Sequence, residues 1–295
     1  MVGRRITLIL AAALMLPVGP SRRADAQGSR PGPPAAHAFA RHVPERFDDI
    51  AWENDRIAFR IYGPALERRE QTGSGVDVWA KSTRKLVIDR WYKSGDYHKD
   101  HGEGLDYYGV GQGRGCGGLG IWNGKSLDVS RVWESFKILE SGPDRASFEV
   151  TYAPWKSGGQ DVRETRRIAL EAGSNLSRIE STIRADRPDE LTVGLGISKR
   201  KGEGKPLLDK GRGLASYWEP PAGPNGSIAC GILADPARVV DVLEADGHYL
   251  VLVRVTPGRP FVYYAGAGWS KSGDFATPTD WERYLREYPT RFKAD

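Results

Sequence analysis

A chain of 295 residues, 39% hydrophobic and 10% aromatic, is enough for one large all-β domain or two small ones. Its formal charge of +5 sits largely in the first 26 residues, where Arg4, Arg5, Arg22 and Arg23 outweigh Asp25, so the remainder is only weakly basic. That balance, with no basic helix, zinc-finger spacing or aromatic RNA motif, argues against a nucleic-acid partner.

The chain opens with Arg4-Arg5, an apolar run over 6–16 and then Ala24-Asp25-Ala26. This order predicts a signal peptide over 1–26 and a periplasmic or secreted product. The run is shorter than the about 20 residues of a membrane span, and Pro17 and Gly19 break it, so no membrane insertion is expected after cleavage. Residues 27–42, rich in Gly, Pro, Ser, Ala and Arg, read as a flexible lead-in, with a single domain over 43–295.

Period-2 segments then follow one another. Ile57, Phe59 and Ile61 alternate with Ala58, Arg60 and Tyr62, and Val76 and Val78 flank Asp77. Phe148, Val150 and Tyr152 alternate with Glu149 and Thr151; Ile168 and Leu170 precede a turn at 171–175, and Leu176, Ile179 and Ile183 follow it. Leu191, Val193, Leu195 and Ile197 are expected to share one face, and strands are also expected within 228–233, 249–255 and 261–264. Thr279-Asp280-Trp281-Glu282 reads as a capping box, with Trp281, Tyr284, Leu285 and Tyr288 at helical spacing. Without strand–helix alternation or a repeat, the fold class is all-β: a large antiparallel β-sandwich with a short C-terminal helix. Cys116 and Cys230 could pair in an oxidising compartment, or remain buried thiols.

The densest polar stretch is 89–122. His98, Asp100, His101, Glu103 and Asp106 fall within nine residues, and Tyr107, Tyr108 and Arg114 follow among glycines. Three readings stay open. A divalent ion (calcium, manganese or zinc) would take His98, Asp100, His101 and Asp106, although the spacing matches no sharp metal signature. The histidines could serve as general acid or base. The loop could also be polar groups satisfying one another.

A second segment, Ser216-Tyr217-Trp218-Glu219-Pro220-Pro221, has the composition of a sugar-stacking wall, with Tyr217, Trp218 and Glu219 as binding residues. Trp218 could equally be core. Lys199 and Arg200 end the preceding strand and could meet an acidic ligand or solvent.

The strings Trp52-Glu53-Asn54-Asp55-Arg56, Tyr97-His98-Lys99-Asp100-His101-Gly102-Glu103-Gly104-Leu105-Asp106, Arg114-Gly115-Cys116-Gly117-Gly118, Thr151-Tyr152-Ala153-Pro154-Trp155 and Tyr217-Trp218-Glu219-Pro220 resemble the secreted bacterial family known as domain of unknown function 4861. The likeness runs from about 43 to about 292. It implies a galactose-mutarotase-like β-supersandwich and an association with breakdown of pectin and other uronic-acid polysaccharides. It carries over no settled catalytic residue.

The leading expectation is therefore an enzyme acting on an acidic oligosaccharide by β-elimination. Arg114 or a metal would neutralise the uronate, His98 or His101 would take the C5 proton, and Tyr107 or Tyr108 would protonate the leaving oxygen. Hydrolysis through Glu103 or Glu219 is the nearest alternative, and a mutarotase-like epimerase using His as acid and Glu as base is a third. A non-catalytic sugar-binding protein needs the aromatic wall alone. In every enzymatic case His98, His101 and Glu103 are expected in one cleft with Arg114 and with Trp218 or Glu219.

Overall fold

The computed structural model describes residues 37–294 together with Gly3, so the expected leader and most of the expected lead-in lie outside the described residues. Strands β1 (Ala38–Val43), β2 (Asp49–Asn54) and β3 (Ala58–Ile61) are followed by helix α1 (Pro64–Glu67), β4 (Val76–Lys81), helix α2 (Ile88–Ser94) and β5 (Gly104–Leu105). Next come β6 (Cys116–Trp122), β7 (Leu127–Asp128), β8 (Trp133–Ser141), β9 (Arg145–Ser157), β10 (Gln160–Glu171) and β11 (Leu176–Ala185). The rest are β12 (Leu191–Ser198), β13 (Lys205–Asp209), β14 (Leu214–Trp218), β15 (Ile228–Ala234), β16 (Val239–Ala245), β17 (His248–Val255), β18 (Pro260–Trp269) and helix α3 (Pro278–Glu287).

One layer is an eight-stranded sheet ordered β13-β14-β15-β18-β11-β10-β9-β8. Against one face of it pack two five-stranded sheets, β1-β2-β3-β4-β5 and β16-β17-β12-β6-β7, side by side. The strand pairs within all three sheets are antiparallel. The two smaller sheets meet through a parallel bridge between Val76 and Gly115. Gly115 has φ of 58°, and a Cβ there would lie 2.0 Å from the Val76 carbonyl oxygen, so a side chain would push the sheets apart.

The alternation read in the sequence sets the interior. Phe59, Ile61, Val76, Val78, Phe148, Val150, Ile168, Val193, Leu195 and Ile197 share the core between the layers, with Leu191 packed against it. The expected shared face of the 191–197 strand is thus observed. The fold is the large antiparallel sandwich with a short C-terminal helix.

Two boundaries differ from expectation. Order includes Ala38–Val43, so the lead-in ends before residue 42; β1 pairs with β2 along its whole length, and Ala38 and Ala40 are small inward residues that gave the alternation little contrast. The helix cap is Thr277 rather than Thr279. Thr277 Oγ1 accepts from the Asp280 amide at 3.3 Å while Asp280 Oδ2 accepts from the Thr277 amide at 3.0 Å, and Pro278 takes the first helical position, where its missing N–H costs nothing.

Candidate active site

The first five-stranded sheet has a second face, turned away from the sandwich core. Asp49, Ala51, Glu53, Ala58, Arg60, Asp77, Trp79 and Lys81 occupy the alternate positions of β2, β3 and β4 and point there. A strand face of this composition would ordinarily meet water. Here Ala51, Ala58 and Trp79 pack against Ile88 and Trp91 of α2 and against Tyr97, so the polar groups among them are buried too.

At one end of the face, Glu53 accepts the amides of Val87 and Ile88 at 2.8 Å and the Lys81 ammonium at 2.7 Å. Lys81 also donates to the Asn54 carbonyl at 2.6 Å. This pair anchors the start of α2 and leaves its charges matched.

The other end has an excess of acid. Arg60 donates from Nε to Asp77 Oδ2 at 2.7 Å and from Nη2 to Asp106 Oδ2 at 2.9 Å, and its Nη1 lies 3.7 Å from Asp49 Oδ2. Its guanidinium lies near the rings of Tyr62 and Trp79. Tyr62 donates to Asp77 Oδ2 at 3.1 Å and Tyr92 to Asp49 Oδ2 at 3.4 Å. Asp49, Arg60, Asp77 and Asp106 are 2%, 6%, 0% and 2% exposed, so three carboxyls share one guanidinium away from water. Burial pushes Asp49 up to about 7 and Asp106 well above the carboxylate range, because each added negative charge finds little solvation there. A pocket of about 120 Å³, lined by Asp49, Arg60, Tyr62, Arg46, Gln71 and Thr72, opens onto the cluster. That is roughly the share of four water molecules, room for a hydroxyl-bearing group of a ligand whose bulk stays outside.

Part of the expected loop joins this site. Asp106 is a member, and His98 sits over it with Nδ1 2.9 Å from the Asp106 carbonyl oxygen and 3.6 Å from Oδ2. The His98 side chain is 59% exposed and so bridges solvent and the buried acid. The other loop residues point elsewhere. His101 meets Asp96 at 3.3 Å, and Asp100 accepts the amides of Gly102 and Gly104 at 2.8 and 3.1 Å and faces Lys271. Glu103 pairs with Arg90 at 2.8 Å, which holds it below the usual carboxylate range. Among the described residues no three histidine, cysteine or acidic side chains converge as a metal site, so the His98–Asp100–His101–Asp106 ligand set is not assembled.

The second expected segment forms a separate group. Arg200 donates to Glu219 at 2.7 Å and lies over the Tyr108 ring at 4.2 Å. Burial raises the Glu219 carboxyl, and Tyr107 donates to the Gly226 carbonyl at 3.4 Å. Lys199 pairs with Glu244. Tyr217 and Trp218 are not a stacking wall. Both lie on β14, an interior strand with both faces covered, so Tyr217 enters the core between the layers and Trp218 packs under α3.

Arg114 is also corrected. It is 1% exposed, and its guanidinium donates to Ser74 Oγ, the Leu119 carbonyl and the Gln112 carbonyl at 3.0, 3.3 and 3.0 Å. These donors cannot neutralise a substrate carboxylate beside the histidines. Cys116 and Cys230 are buried free thiols; Cys116 donates to the Gly266 carbonyl.

Sequence reasoning missed Asp49, Arg60, Tyr62, Asp77 and Tyr92. The available signal was a charged residue at the centre of each short strand, Phe59-Arg60-Ile61 and Val76-Asp77-Val78. Read alone, each is an ordinary outward position.

The model of the family described as "Domain of unknown function (DUF4861)" matches residues 25–294. "Uncharacterized protein P7" of Formosa agariphila is 34% identical over 279 residues, covering 88% of this chain and 68% of that protein. Among solved structures, the galactosidase domain of the alpha-galactosidase-sucrose kinase AgaSK matches 79% of this chain and 42% of its own, with a TM-score of 0.38 and 10% identity. The GH36 alpha-galactosidase AgaB from Geobacillus stearothermophilus matches 79% and 41%, with a TM-score of 0.39 and 9% identity. The chain spans about two fifths of those solved chains, a likeness too distant to transfer an activity.

Proposed function

The chain belongs to the DUF4861 family, and on that footing we propose that it is a carbohydrate-active enzyme that works by proton transfer from buried carboxyl groups. The observation that carries this reading is Asp49, held at about 7 on the wall of a small pocket beside Arg60 and Tyr62. A carboxyl balanced near neutrality can give a proton and take it back during one turnover. Asp77 is the complementary group, accepting from Arg60, Tyr62 and the Val78 amide at 2.7, 3.1 and 2.9 Å.

Hydrolysis of a glycosidic bond suits this set better than elimination. Elimination needs a cation to meet a uronate carboxylate; the guanidiniums of Arg60 and Arg114 are already engaged, which leaves Arg46 on the pocket wall, its Nε given to the Tyr97 hydroxyl at 2.6 Å. In hydrolysis Asp49 protonates the leaving oxygen as the C–O bond breaks, and the incoming water supplies the proton that restores it. The acidic character of the saccharide rests on the family resemblance.

The test is a panel of uronate-containing and neutral oligosaccharides. Reducing ends and absorbance from new C4–C5 double bonds are read together. New reducing ends without double bonds are expected, falling by roughly 10²-fold or more in Asp49→Asn with an unchanged circular dichroism spectrum. Double bonds would restore elimination. Full activity in Asp49→Asn would remove the site.

A further inference from the structure

The core between the layers contains a second charged group, remote in role from the carboxyl pocket. Glu164 and Arg166 occupy inward positions of β10 and are 1% and 0% exposed. Arg166 donates from Nε and Nη2 to the two Glu164 oxygens at 2.8 and 2.9 Å, and Ser181 Oγ adds a third bond to Glu164 at 2.8 Å. The remaining Arg166 nitrogen, Nη1, has no acceptor, and neither has the hydroxyl of Tyr152. Tyr152 lies on the neighbouring strand β9, opposite Glu164, and the Arg166 guanidinium is 4.9 Å from its ring centre. Two fully buried donors on adjacent strands thus share one region of the core.

An independent observation is the charge. Arg114 reaches the same region and is 1% exposed, yet its partners Ser74, Leu119 and Gln112 are all neutral acceptors. Burial, and then the nearby Arg166, pull its guanidinium down to about 10, still well above neutrality. Two buried guanidiniums therefore face one buried carboxylate, Glu164, with the exposed Asp246 acting on Arg114 from the surface. Tyr152 does not supply the missing negative charge, because burial pushes its hydroxyl up to about 12.

We propose that the sandwich core binds one small monovalent anion of chloride type, held by Arg166 Nη1 and the Tyr152 hydroxyl and balancing Arg114. A water molecule could accept from both donors but would leave the extra positive charge uncompensated in a medium of low dielectric. A polyatomic or larger anion is disfavoured because Tyr152, Arg166 and Arg114 are all closed to solvent. Chloride meets both requirements, accepting several hydrogen bonds and carrying one charge.

The experiment is thermal unfolding of the full chain in sodium chloride against sodium gluconate at fixed ionic strength. A saturable rise in Tm, on the order of 5 °C, is expected in chloride alone. Tyr152→Phe, which removes one donor with little change in volume, should weaken the chloride dependence about tenfold in concentration. Arg114→Gln should abolish the need for a counter-charge and flatten it. Crystals grown in bromide should show an anomalous peak beside Arg166 Nη1, a readout that stands even where a variant fails to fold. Equal Tm in chloride and gluconate, an unaltered chloride response in Tyr152→Phe, or a peak without anomalous signal would each overturn the proposal.

Discussion

Asp49 is destabilising where it is charged. Its carboxyl titrates near 7 in the fold against an ordinary value of 3.8, because burial withholds solvation that Arg60, shared with Asp77 and Asp106, only partly replaces. Between pH 4 and 7 the folded chain holds a proton that the unfolded chain has released. Stability contributed by this group is therefore present at low pH and lost as pH rises through that window, by about 2–4 kcal/mol. Asp49→Asn should flatten the dependence of the urea midpoint on pH between 5 and 8, and a variant with the wild-type slope would assign the effect elsewhere. The sequence showed Asp106 and His98 as chemistry-bearing residues because they sit in a dense polar loop. It did not show Asp49, Arg60 or Asp77, which are isolated charges in three different strands and become a cluster only through strand pairing.

At the scale of elements, β14 shows how composition misleads. Tyr217 and Trp218 beside Glu219 and two prolines have the look of an exposed wall, yet the strand is flanked by β13 and β15. Trp218 belongs to the cluster that holds α3 on the eight-stranded sheet, with Trp281 and Leu285. Gly231 on β15 lets that helix approach: a Cβ there would stand 2.7 Å from Leu285 Cδ2. Trp218→Ala should therefore cost about 3–5 kcal/mol of stability, the size of a large-to-small core change. Chemical denaturation checks the loss; an unchanged midpoint with weaker sugar binding would return Trp218 to the surface role. The helix α3 itself was legible from its spacing. Helix α2 was not, since its seven residues overlap a stretch dominated by charged and aromatic side chains, and only Ile88 and Trp91 of it are buried.

Among the described residues, three apolar assemblies hold the fold: the core between the layers, the α3 seam and the α2 seam. Removing residues 278–294 should uncover Leu214, Trp218, Leu233 and Tyr264 on the outer face of the eight-stranded sheet. Light scattering should then show more self-association than the full chain does, with a lower Tm; a truncated chain identical in both would mean that the seam is dispensable. What the sequence determined by itself was which side of each strand a residue takes, because side chains alternate with period 2 whatever the surroundings. What only the tertiary structure decided was which of the polar sides would be covered. The same alternation that sends Asp49, Arg60 and Asp77 outward leaves them solvated on a bare sheet. Packing of α2 and the 97–106 segment over that face removes the water, and it is the loss of water that pushes the Asp49 carboxyl up to about 7.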